Sequence, residues 1–103
     1  MNNEDLDIMG NIKLIDNYKN YLLSSVADLF VTMGKGGRAG VDEINDELAE
    51  IIILSYLLGK RIGIDYEDID KRLTKKLKLG AIEEDSNGDY SQLIAYIKNG
   101  REI

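Results

Sequence analysis

Two absences set the chemistry open to this chain. Its 103 residues include no His and no Cys, which excludes imidazole acid–base catalysis, thiolate nucleophiles, disulfides and Cys/His zinc sites. Carboxylates remain, and they are plentiful: 19 Asp+Glu stand against 13 Lys+Arg, for a net charge of −6. They include the run Asp42, Glu43, Asp46, Glu47 and Glu50, with no basic residue among them. All-oxygen donor sets of this kind suit a hard cation such as Mg²⁺ or Mn²⁺. The same run also reads as a solvated acidic face near a helix N-terminus, where negative charge is favourable.

Helices must position these groups. The chain has no Pro, and its apolar residues recur at three and four rather than alternating, so an all-α fold is expected. Ile12, Ile15, Leu22, Val26, Leu29 and Met33 mark one face of a long first helix from about Asn11 to Met33. Gly34 to Gly40, with four glycines in seven residues, ends it. Asp42 is a fair N-cap for a second helix reaching Ile62, with Gly63 as its stop. Asp65 can cap a third, Tyr66 to about Lys78, ended by Gly80, and Asp89 with Gln92 offers a capping box for a short fourth, Tyr90 to Lys98. The expectation is an antiparallel bundle of about four helices forming one domain over residues 1–103.

The second helix changes character halfway. Its acidic first half gives way to Ile51 through Leu58, apolar on every side except at Ser55. A helix buried all round needs neighbours all round, so the core is expected to be completed by a homodimer or higher homo-oligomer. The alternative is that the other three helices suffice. The acidic balance argues against duplex nucleic acid and anionic membranes as partners. No apolar stretch is long enough to span a bilayer and no signal segment is evident, so a cytoplasmic location is expected.

Loop symmetry suggests a register. If the first two helices pack antiparallel about their short connection, Asp28 and Glu47 lie equally far from it, and Ser25 and Glu50 one turn deeper, at ~1.5 Å of rise per residue. Three carboxylates and a hydroxyl would then converge between two helices, or else remain a solvated acidic face.

The run Asp46-Glu47-Leu48-Ala49-Glu50-Ile51-Ile52-Ile53, followed by Leu57-Leu58-Gly59-Lys60-Arg61-Ile62-Gly63-Ile64-Asp65 and an acidic-to-basic helix, resembles the MazG-like branch of the all-α nucleoside triphosphate pyrophosphohydrolases. That superfamily carries Glu-x-x-Glu on one helix and Glu-x-x-Asp on the next, which together hold Mg²⁺ against a triphosphate. Glu47 and Glu50 match the second motif, with Glu in the last place. At the first motif this chain reads Ser25-Val26-Ala27-Asp28, one carboxylate short. The resemblance implies a Mg²⁺- or Mn²⁺-dependent hydrolase splitting a nucleoside triphosphate into a monophosphate and pyrophosphate. Asp28, Glu47 and Glu50 would be ligands, and Ser25 would act through a water. The altered first motif implies an alternative: a catalytically impaired nucleotide-binding or protein-interaction module.

Lys71, Arg72, Lys75, Lys76 and Lys78 form the one basic block. Lys71, Lys75 and Arg61 are candidates for binding phosphate, against the plainer reading of a solvated face. Lys35 and Arg38 invite a phosphate-cradle reading, but the order of residues is not that of a P-loop, so a hinge is expected. Tyr18, Tyr21 and Tyr56 have spacing that suits packing more than stacking on a base.

Overall fold

The computed structural model describes residues 3–37, 40–83 and 85–100, and side-chain surroundings from residue 8 onward. The described residues hold four α-helices and no strand: α1 (Asn3–Lys35), α2 (Val41–Arg61), α3 (Tyr66–Glu83) and α4 (Asp89–Lys98). The all-α expectation holds. Helices α1 and α2 form one compact unit, ending at Asp65, and α3 and α4 form a second, beginning at Tyr66. No helix among the described residues is long and apolar enough to cross a membrane.

In the first unit, α1 has 33 residues and α2 has 21, or about 50 Å against about 32 Å. They run antiparallel. Asn11 Nδ2 donates to the carbonyl of Arg61 at 2.9 Å at one end, and Thr32 Oγ1 donates to Glu47 Oε1 at 2.9 Å near the connection. The start of α1 therefore extends past the end of α2. It begins eight residues before the expected Asn11, because Asn3-Glu4-Asp5-Leu6-Asp7 lacks the apolar periodicity by which a helix is read from sequence. The facing stripe on α2 is Ile44, Glu47, Ile51, Leu54 and Leu58, at heptad spacing. Leu54 and Leu29 are its buried apolar centre, with Thr32 buried beside them. Ile12 and Met33, expected on the inner face, are both more than half exposed.

Helix ends depart from expectation in instructive ways. The N-cap of α2 is Gly40 rather than Asp42, which falls in the first turn and makes its favourable dipole interaction there. The stop at Gly63 is as expected. With φ at +95°, it lets Ile64 N–H reach Gly59 O at 2.8 Å while its own N–H reaches Lys60 O at 3.2 Å, a Schellman closure.

In the second unit, α3 runs through Gly80 to Glu83 instead of stopping at Lys78. Gly80 serves packing rather than termination: a Cβ there would lie 2.5 Å from Cε1 of Tyr90. Ile69, Leu73, Leu77 and Ala81 share the covered side of α3, with Leu77 buried, and Tyr90, Ile94 and Ile97 form that of α4. No capping box forms from Asp89 and Gln92. The N-cap of α4 is Gly88, at φ +80° and with no side-chain cap bond. Asp85 does the work from outside the helix, accepting Tyr90 N–H at 2.9 Å on Oδ1 and the Ser91 hydroxyl on Oδ2.

Candidate functional site at the α1–α2 junction

Glu47 is the only acidic residue of the α2 run that faces α1. Its place in the stripe Ile44–Glu47–Ile51–Leu54–Leu58 makes it half-buried, whereas Asp42, Glu43, Asp46 and Glu50 are exposed. Glu47 is expected level with Asp28, and the hydrogen bond it makes is with Thr32. Glu47 Oε1 accepts from Thr32, one turn further along α1, on a stripe that descends through Leu29 to half-buried Ser25. Two physical effects account for the shift. Side chains on a helix lean toward its N-terminus, which carries the Glu47 carboxylate toward the connection. Three residues along a helix also fall about 60° short of a full turn, so Glu50 lies to one side of the stripe that Glu47 occupies.

Asp28, next to buried Leu29, is itself exposed. The expected convergence of Asp28, Glu47 and Glu50 is therefore not what the side chains adopt: among the described residues, no group of three or more acidic side chains could hold a metal ion. One observation nevertheless fits a cation. Glu47 Oε2 is buried and has no hydrogen-bond partner among the described residues. A carboxylate oxygen withdrawn from water with nothing to neutralise it is costly, and it is an oxygen donor of the kind a hard cation takes. The fit is that of one presented ligand, not of a formed site.

Thr32, absent from the expected set, is the polar residue that the structure adds. It is 5% exposed, and the backbone of Gly40 approaches it closely, since a Cβ on Gly40 would lie 3.3 Å from Thr32 Cγ2. The spacing Ser25, Leu29, Thr32 carried the signal, because it continues the inner stripe of α1 to a hydroxyl opposite the inner acid of α2.

The expected phosphate ligands are divided between the units. Arg61 is the last residue of α2 and is exposed, its carbonyl taken by Asn11. Lys71 and Lys75 are exposed on α3. Next to Arg61, Lys60 Nζ donates to Asp65 Oδ1 at 2.8 Å, and this hydrogen bond, with the charge behind it, holds the Asp65 carboxyl below its ordinary range. Lys35 is exposed, while Arg38 lies outside the described residues.

The model of the MazG-like family matches residues 8–93. The chain belongs to the MazG-like family. The match runs across both units and includes the Thr32–Glu47 pair, both halves of α2 and the basic stretch of α3. No curated protein and no solved structure matches this MazG-like chain.

Proposed function

We propose that this protein is a divalent-cation-dependent nucleoside triphosphate pyrophosphohydrolase, yielding a nucleoside monophosphate and pyrophosphate. Membership of the MazG-like family supports the substrate class. The observation that carries the site is Glu47, whose Oε2 is buried and has no hydrogen-bond partner among the described residues. Glu47 is the anchoring ligand in this reading. Asp28 and Glu50, exposed on the adjoining turns, would have to turn toward Glu47 to complete the oxygen set, with Ser25 contributing through a water. The chemistry that Mg²⁺ or Mn²⁺ would supply there is Lewis-acid polarisation of a phosphoryl oxygen. Arg61, in the unit that holds Glu47, is an exposed cation available to a phosphate; Lys71 and Lys75, exposed on the other unit, are phosphate candidates by their charge alone.

The reading extends to assembly. The two units act as one MazG-like domain, because the family match spans both. That domain is a homodimer or higher homo-oligomer, because Leu48, Ile52 and Ile53 on α2 and Leu23, Phe30 and Val31 on α1 are each about half exposed or more, an unusual amount of bare apolar surface for a lone helix pair. A cytoplasmic location agrees with a nucleotide substrate. A second reading, a binding module without turnover, is favoured by the absence of a three-acid group among the described residues.

Pyrophosphate release from the common nucleoside triphosphates, with Mg²⁺ and then Mn²⁺, tests the choice. Cation-dependent release by the wild type that is lost in Glu47→Gln supports the enzyme. Nucleotide binding without release supports the module, and Ser25→Glu, which restores the fourth carboxylate, should then recover turnover if the missing ligand is the reason.

A further inference from the structure

Asn87 and Gly88 form one of two Asn-Gly steps in the chain, at the entry to α4. Asn is a thermolabile residue: its side-chain carbon can be attacked by the next backbone nitrogen, closing a five-membered imide. A following Gly makes this easiest, because no side chain crowds its nitrogen. The surroundings of Asn87 favour the attack. Asn87 is exposed, and Asp89 N–H donates to its Oδ1 at 3.1 Å, which places a donor on the oxygen where negative charge develops when Cγ is attacked. Gly88 N–H is held by the Asp85 carbonyl at 3.3 Å, long for such a bond, so the nucleophile is lightly restrained. Beyond its chain neighbours, a Cβ on Gly88 would have only Gln92 Nε2 near it, at 3.8 Å, so the approach is open.

We propose that Asn87 is a site of spontaneous deamidation whose isoaspartyl product undoes the entry to α4. The proposal is independent of the functional reading above. Gly88 N loses its proton to solvent and bonds to Cγ of Asn87; the Cγ–Nδ2 bond breaks, and ammonia leaves with a proton from solvent. Water then opens the imide. Cleavage of the new Cγ–N bond leaves Asp on the original backbone, whereas cleavage of the original C–N bond leaves isoaspartate, whose main chain runs through Cβ and Cγ and is one atom longer. Either route consumes one water and releases one ammonia. The products differ in their effect on α4. Asp keeps an acceptor for Asp89 N–H and puts its charge at a helix N-terminus, where it is favourable. Isoaspartate lengthens the turn that Gly88 N–H closes on Asp85 O, and with it the span over which Asp85 reaches Tyr90 N–H and the Ser91 hydroxyl.

Ageing of the full, folded chain in a mildly alkaline, amine-free buffer tests it, with cleavage at Lys and Arg followed by mass spectrometry. Asn87 falls in the fragment of residues 79–98, which holds no other Asn, and Asn99 falls in the next. The first fragment should give two more acidic species of equal mass, and isoelectric focusing should show the intact chain moving by one charge, from −6 to −7. Asn87→Gln, whose ring would need one more atom, should lose the shift in that fragment. Asn87→Asp carries the product's charge on the native backbone and should keep the wild-type urea midpoint, whereas chains holding isoaspartate should unfold at lower urea. Conversion seen only at Asn99, or only when the chain is unfolded in urea, overturns the proposal. An equal fall in midpoint for Asn87→Asp overturns the part assigned to the lengthened backbone.

Discussion

Gly80→Ala sets two opposing effects against each other inside one helix pair. In an isolated helix the change is favourable by about 1 kcal/mol, because Gly surrenders more backbone freedom than Ala on folding. Here the new methyl would lie 2.5, 2.7 and 2.9 Å from Cε1, Cδ1 and Cζ of Tyr90, where carbon atoms are comfortable at about 3.5–4.0 Å. The overlap of about 1 Å involves a half-buried ring at the first turn of α4, so relief requires the ring to turn from its place or α3 and α4 to part. Overpacking of this type costs about 1–3 kcal/mol. The balance is a net loss of up to about 2 kcal/mol, against a gain of about 1 kcal/mol if the ring were not there. Urea denaturation followed by circular dichroism reads the sign directly. Repeating the change in a Tyr90→Ala background should turn it favourable, giving a coupling between the two sites of about 1–3 kcal/mol. Stabilisation of the wild type by Gly80→Ala would refute the close approach of α3 and α4, and with it the reason why a glycine sits mid-helix.

Further outcomes follow from the same geometry. Asp85→Ala removes the acceptor for Tyr90 N–H and the Ser91 hydroxyl, and should cost about 1 kcal/mol, as loss of a helix cap does, seen as a lower urea midpoint. Leu54→Ala, at a position only 2% exposed, should destabilise by about 2–5 kcal/mol. Its neighbour Ile53, at 50%, should tolerate Lys with helicity kept, while light scattering shows the assembly falling to a monomer; a wild type that is already monomeric at micromolar concentration would contradict the oligomer reading. The Asp65 carboxyl, held low first by its hydrogen bond from Lys60 and then by that residue's charge, should return to the ordinary carboxylate range in Lys60→Met, by NMR titration. Because its folded-state value is depressed, whatever this pair adds to stability is present at neutral pH and is lost as pH falls through that depressed value. Lys60→Met should therefore flatten that part of the acid-side stability profile.

The helices were legible because their signals are local. Three-and-four periodicity, the absence of Pro and the glycine connection fixed four helices in order, and Gly63 was read correctly because a stop needs only a residue that accepts positive φ. Gly80 departs from the expected stop for the converse reason. A glycine is needed both where a helix ends and where another side chain must come close, and the sequence near position 80 does not contain the Tyr90 ring that distinguishes the two. Asp85 was missed in the same way: its bonds reach five and six residues ahead, past the spacing at which a capping box is recognised.

The site shows how far spacing carries and where it stops. Counting residues from the connection places α1 and α2 at nearly the right level, since Asn11 meets Arg61 and Thr32 meets Glu47 on one antiparallel pair. Level alone does not choose partners, because two residues at one height can still face different ways. The inner stripes do choose. On α2 the heptad positions are Ile44, Glu47, Ile51, Leu54 and Leu58, and only one carboxylate is among them; on α1 they pass through Ser25, Leu29 and Thr32, and Asp28 is not among them. A helix that spends an inward position on an acid must find it a partner or bear the cost of burying it. Half of that requirement is met by Thr32, and among the described residues Oε2 is the half left without a partner.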